Sequence, residues 1–186
     1  MKRFEDTLVA INEFCKKHSL TYTVVGGLAV ITHGFPRTTQ DIDVIVSVEL
    51  EEIHTLGERL MTTFTPLKEN PIEFLERYFV MPTVYQPTKV LVDFSAGLSG
   101  FEKSACIRSR RVSFGNVDVP IITIEDLIIF KLVASRHLDL ADVNELFVRH
   151  SETIDRSYLR SIAKQFALLE RSDVAEKVED FCGRFL

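Results

Sequence analysis

Residues 24–46 read VVGGLAVITHGFPRTTQDIDVIV, and this stretch decides the fold. A β-type run, Tyr22 to Val25, leads into it and stops at the pair Gly26-Gly27. Leu28 to His33 is short and apolar, a helix ended by Gly34 and Pro36. Ile42, Val44 and Val46 then mark a second strand. Side chains two apart on a strand share a face, so Asp41 and Asp43 lie side by side while Ile42 and Val44 point to a core. Neighbouring carboxylates repel unless a proton or cation lies between them. Mg²⁺, with Mn²⁺ as its substitute, suits the pair because it favours oxygen ligands and takes substrate phosphates as the others. A strand, a Gly pair and a helix start expose free backbone N–H groups to an anion, and Gly lets the backbone approach it closely. The pattern fits an NTP.

Working outward, a third carboxylate should arrive from a neighbouring strand. Asp93 fits, inside the apolar run Val90 to Phe94. An Asp there is costly unless it is paired or metal-bound. Asp41, Asp43 and Asp93 around Mg²⁺ describe a phosphoryl- or nucleotidyl-transfer centre. An acceptor hydroxyl would attack the α-phosphorus and pyrophosphate would leave. Asp93 would bind the acceptor-side ion and take the hydroxyl proton.

The rest of the chain gives a sheet with helices. Phe4, Leu8, Ile11 and Phe14 recur at helical spacing, so a helix opens the chain and runs to about His18. Ser47 is a candidate cap for a helix from Glu49 to Met61. Glu73 to Tyr78 reads as a further helical turn, and strand pieces flank Pro82. Lys89 to Phe94 is a clearer strand. Arg111 to Phe114 and Val117 to Val119 flank Gly115-Asn116 as a hairpin, and Pro120 argues for an edge or strand end. From about residue 124 the spacing is helical throughout: Leu140, Val143, Leu146 and Phe147, then Leu159, Ile162, Phe166 and Leu169, then Val174, Val178 and Phe181. The expected fold is α/β (α+β), a small mixed β-sheet core over residues 1–122 flanked by helices. A helical region over 123–186 is expected to pack on it.

Composition sets bounds. The 186 residues carry 22 Lys+Arg against 27 Asp+Glu, a net charge of -5, which argues against extensive wrapping of DNA. Fourteen Phe and 46% hydrophobic residues exclude a disordered acidic tail. Cys15, Cys106 and Cys182 form no CxxC pair and read as reduced and buried. No apolar run reaches membrane-span length, and the start lacks a signal-peptide core. The expectation is a cytoplasmic protein with no membrane partner.

The stretch GGLAVITHGFPRTTQDIDVIV resembles the DNA polymerase β-type nucleotidyltransferase superfamily, and most of all its small prokaryotic branch of AbiEii-like toxins. Gly26 and Gly27 match the family's turn, and Arg37 and Thr39 match the segment before the acids. Asp41 and Asp43 match the metal-binding pair and Asp93 the later acid. Glu125-Asp-Leu, Lys131 and the run Arg136, Asp139, Asp142 resemble the helical region of that branch. The family turn is often Gly-Ser, and this chain has Gly27 instead. The resemblance implies Mg²⁺-dependent transfer of an NMP from an NTP such as ATP to an RNA end, a protein hydroxyl or a small molecule. It also implies a cognate antitoxin. A non-catalytic nucleotide-binding or protein-interaction member of the fold is the alternative.

Several residues keep two readings. Arg37 is a bidentate hydrogen-bond donor to the phosphates, or it pairs with Asp41 or Glu49 as a loop anchor. Lys131 and Arg136 contact the nucleotide, or form a buried interhelical network with Asp139 and Asp142. His33 reads as a helix-end residue bonded to a carbonyl. Lys103, Arg108, Arg110 and Arg111 are a basic stretch that attracts an RNA end, or a solvated sheet edge.

Overall fold

The computed structural model describes residues 2–185. β1 (Thr21–Val25) and β2 (Asp41–Ser47) pair antiparallel, with Val25 opposite Asp43 and Thr21 opposite Ser47. Their β-branched residues suit a pleated, packed surface. Between them in sequence lies α2 (Gly26–Thr32). β2 is the middle strand of a seven-stranded mixed sheet. The others are β3 (Thr65–Pro66), β4 (Val80–Tyr85), β5 (Val90–Gly97), β6 (Arg110–Phe114) and β7 (Val117–Ile121), in the order β3-β4-β5-β2-β1-β7-β6. β5 runs parallel to β2, and β7 parallel to β1. The remaining helices are α1 (Lys2–Lys17), α3 (Ile53–Met61), α4 (Pro71–Tyr78), α5 (Gly100–Arg108), α6 (Ile124–Ala134), α7 (His137–His150), α8 (Arg156–Ala167) and α9 (Ser172–Arg184).

The chain divides into two compact units. One holds residues up to Ala29 together with Thr38–Ile122, and the other holds Val30–Arg37 together with residues from Thr123 on. In the first, one face of β2 and β5 buries Ile42, Val44, Val92 and Phe94 completely. Phe64 meets Phe94 at a ring-centre distance of 4.8 Å and Phe14 of α1 at 5.7 Å. Each such buried side chain contributes roughly 1.5–3 kcal/mol. In the second, α6 is apolar nearly all round, as expected of a helix surrounded by others. It packs on α7, α8 and α9, and Leu127, Ile128, Ile129 and Leu132 are buried. Phe147 of α7 stacks on Phe181 of α9 at 5.5 Å.

Local chemistry explains the elements and the departures from expectation. Ser47 ends β2 and caps nothing. The following helical segment starts as a short 3-10 turn, Leu50–Glu52, with Glu52 accepting from the Glu49 N–H at 2.9 Å. β4 is one continuous strand through Pro82. The Pro82 carbonyl accepts from Leu67 N–H, so its ring nitrogen faces the short β3 side and the β5 ladder loses no donor. Pro120 lies inside β7, which sits between β1 and β6, so β6 is the edge. The hairpin turn has Gly115 at φ +59 in the first central position, the place type II′ requires Gly, which explains the Gly-Asn order. α5 is an element the periodicity does not reveal; Ser99 caps it and Glu102 accepts back from the Ser99 N–H. Among the described residues no helix is long and apolar enough to cross a membrane.

Candidate functional site

β2 and β5 lie in parallel register with Asp43 directly beside Asp93, and Asp41 sits two residues earlier on β2. Strand alternation therefore carries all three carboxylates to one face. One oxygen of each lies within 4.8 Å of the other two, and all three residues are half-buried. The opposite face of these strands is the core, so a one-residue slip would bury the acids and expose Ile42 and Val44. The same apolar packing that builds the sheet thus holds the acids together.

Burial and the charge of Asp41 push the Asp93 carboxyl above its usual range, and the Lys68 ammonium draws it partly back. Thr39 Oγ1 donates to Asp41 Oδ1 at 2.9 Å, which fixes that carboxylate's orientation. Gly26 stands at φ +61 against Asp43, and a Cβ there would fall 1.7 Å from Asp43 Oδ2. Only Gly allows the first turn of α2 to lie so close. Three clustered carboxylate oxygens fit a hard divalent cation such as Mg²⁺ or Mn²⁺.

Arg37, Lys131 and Arg136 lie in the helical unit. Arg37 donates from Nη1 to Asp142 Oδ2 at 2.6 Å, a partner the sequence did not suggest. Lys131 Nζ reaches Asp142 Oδ2 at 2.6 Å and Asp139 Oδ1 at 3.2 Å. Arg136 Nε donates to Asp139 Oδ2 at 2.6 Å. Lys131, Asp139 and Asp142 are buried, so the interhelical network is present. Burial pushes the Asp139 carboxyl up, yet the hydrogen bond from Arg136 and the charge of Lys131 outweigh it and hold the group below its usual range. His150 Nε2 donates to the His33 carbonyl at 2.7 Å, a bond made through His33's backbone.

The basic stretch is divided between two elements. Lys103 and Arg108 lie on α5, while Arg110 and Arg111 lie on β6. Lys103 pairs with Glu49 at 2.7 Å, and Arg111 donates to the Asp118 carbonyl at 2.8 Å. Lys68 is the cation that sequence reading overlooked. It lies in the connection that follows β3, and the pairing of β3 with β4 and of β4 with β5 sets that connection two strands from Asp93.

A family model described as nucleotidyltransferase of unknown function (DUF6036) matches residues 2–184. No curated protein matches the chain. Among solved structures, the chain is similar to an antigenic nucleotidyltransferase-like protein from Paracoccidioides brasiliensis (14% identity, TM-score 0.53, covering 96% of this chain and 93% of that one). It is also similar to the antibiotic-resistance factor ANT(2'')-Ia (13% identity, TM-score 0.59, covering 92% and 98%). A third is a nucleotidyltransferase-like protein from Thermotoga maritima (13% identity, TM-score 0.54, covering 78% and 92%). At these identities the likeness is one of fold.

Proposed function

The chain belongs to the family described as nucleotidyltransferase of unknown function (DUF6036), within the polymerase-β-like nucleotidyltransferase superfamily, and from that premise we propose that it is a divalent-cation-dependent nucleotidyltransferase. It moves an NMP from an NTP such as ATP to an acceptor hydroxyl and releases pyrophosphate. The observation that carries this reading is the register of Asp43 beside Asp93, with Asp41 in the same cluster.

Asp41, Asp43 and Asp93 hold the cation. When bound, Mg²⁺ or Mn²⁺ neutralises triphosphate charge and lowers the pKa of an acceptor hydroxyl. The chain's own residues divide the remaining work by position in the sheet. Gly26 and Gly27 open α2 beside Asp43, on the β1 side, and present backbone N–H groups to the triphosphate. Thr39 keeps Asp41 aimed. Asp93 lies one strand further toward β4, so it faces the acceptor, orients its hydroxyl and accepts its proton. We infer a nucleotide-contact role for Arg37, Lys131 and Arg136, tested by the NTP KM of their variants.

The test is transfer of an NTP label, carried at the α-phosphorus, to a cell extract with Mg²⁺. A labelled RNA or protein band, or a labelled small product, is expected. Asp41→Ala and Asp43→Ala should abolish it and leave the helical circular dichroism intact. Full activity in either variant, or no label transfer from any NTP, contradicts the reading. The toxin-like resemblance extends it to growth arrest, relieved by a cognate antitoxin. Induction of the wild type should stop growth, and induction of Asp43→Ala should not.

A further inference from the structure

Beyond Asp93 the sheet continues through β4 to β3, and the chain then leaves through Leu67–Asn70 into α4. The Leu67 N–H donates to the Pro82 carbonyl at 3.0 Å, and Pro82 stands opposite Asp93 in the β4–β5 register. Two strand spacings place this connection about 10 Å from Asp93. Between the connection and the outer side of α4 lies an open groove of about 420 Å³.

Phe74 and Tyr78, one helical turn apart, form its floor with ring centres 4.6 Å apart. The Lys68 ammonium lies 5.1 Å from the Phe74 ring centre, and the Arg77 guanidinium 5.4 Å from that of Tyr78. Leu75 supplies the buried contact of α4, whereas Tyr78 is 53% exposed and Lys68 and Arg77 are exposed. The fold's packing does not account for two rings and two cations gathered on an outer surface. Rings and a guanidinium plane are platforms for an unpaired base, and the cations suit the phosphate that accompanies it.

We propose that this groove is the acceptor subsite and that it takes the unpaired end of a nucleic-acid strand, a base stacking on Phe74 and Tyr78 and a phosphate meeting Lys68 and Arg77. This rests on the nucleotidyltransferase reading. An extended nucleotide spans roughly twice the ~3.4 Å stacked rise, so the connection that carries Lys68 at the groove's edge lies about one to two nucleotides from Asp93. Glu69 and Glu73 line the same groove and cancel its two positive charges. That balance suits one or two nucleotides held by stacking and disfavours a long phosphate track, in keeping with the chain's net charge of -5.

The test measures fluorescence anisotropy of fluorescein-labelled single strands, RNA and DNA of one sequence, and of a blunt duplex. Lys68→Gln, Tyr78→Ala and the control Lys164→Gln are compared with the wild type. The strands should bind and the duplex should bind far more weakly. Tyr78→Ala and Lys68→Gln should each weaken strand binding by about tenfold, the scale of one lost stacking contact, and Lys164→Gln should not. In label transfer, Tyr78→Ala should raise the strand KM and leave the NTP KM and circular dichroism unchanged. Duplex binding equal to strand binding overturns the proposal. So does wild-type strand affinity in both groove variants, or label transfer to a protein or small molecule. Transfer without strand binding defeats this proposal alone. Strand binding through Tyr78 and Lys68 in a protein that transfers no label from any NTP defeats the functional reading and leaves the groove as a strand site.

Discussion

Gly26 leaves room for the Asp43 carboxylate only because it has no side chain: a Cβ on residue 26 would lie 1.7 Å from Asp43 Oδ2 and 2.5 Å from its carboxyl carbon. Gly26 also stands at φ +61, where an L side chain costs roughly 1–2 kcal/mol. Gly26→Ala should therefore displace the Asp43 carboxylate, destabilise the fold and abolish cation-dependent activity. Shortening Asp43 should return part of the stability. A double-mutant cycle with Asp43→Gly, followed by denaturant unfolding, should give a coupling of about 0.5–3 kcal/mol. Additive effects would mean that the two residues do not meet.

The three clustered acids should destabilise the metal-free protein. Burial and the Asp41 charge raise the Asp93 carboxyl above its ordinary range. A raised carboxyl favours the folded state fully below the unfolded pKa, and that contribution is lost as pH rises through the folded pKa. In EDTA, the Tm of the wild type should therefore fall across that window as Asp93 ionises, and Asp93→Asn should remove this component. Added Mg²⁺ should raise the wild-type Tm at neutral pH and leave Asp93→Asn less affected. An equal Mg²⁺ response in both proteins would count against Asp93 as a ligand.

Lys131 holds two buried acids, Asp139 and Asp142. Replacing it with Met leaves Asp139 to Arg136 and Asp142 to Arg37, so the loss should fall below the about 3–5 kcal/mol of a buried charge left wholly unpaired. Asp139 is held below its usual range despite burial, chiefly by the Arg136 hydrogen bond and the Lys131 charge. Its contribution is present above the unfolded value of about 3.9 and is lost as pH falls through the depressed folded value. Lys131→Met should thus move acid unfolding to higher pH, read by circular dichroism. An unchanged acid midpoint would show that the pairing adds nothing.

The thiols should be inert in the folded protein. Burial, reinforced for Cys15 by Cys106 and for Cys106 by Glu102, pushes both groups up to about 12. Burial raises Cys182 as well. A thiol-disulfide reagent at neutral pH should label none of the three quickly in the native state and all three in guanidinium. Rapid labelling of any one before unfolding would show that its site opens.

The acidic site was partly legible in the sequence. Asp41 and Asp43 declare a shared face through the period of two, and Asp93 stands out as a charge in an apolar strand. Their meeting depends on the parallel pairing of β2 with β5, a contact between segments some fifty residues apart that no local pattern records. α5 was hidden because Phe101, Ala105 and Cys106 give it no clear apolar stripe, although Ser99 and Glu102 carry a capping signal. The basic residues around it read as one stretch and are divided between a helix and a strand. Lys68 belongs to the same class of omission. Its nearness to Asp93 comes from the two-residue strand β3, too short to register as periodicity.

The most direct test of the central claim is one reaction run with two labels, at the α- and γ-phosphorus of the NTP, with Mg²⁺ and wild-type or Asp43→Asn protein. The account predicts that the α label enters the acceptor and the γ label leaves in pyrophosphate, both only with the wild type. A γ label entering the acceptor, or identical release by the two proteins, would contradict it.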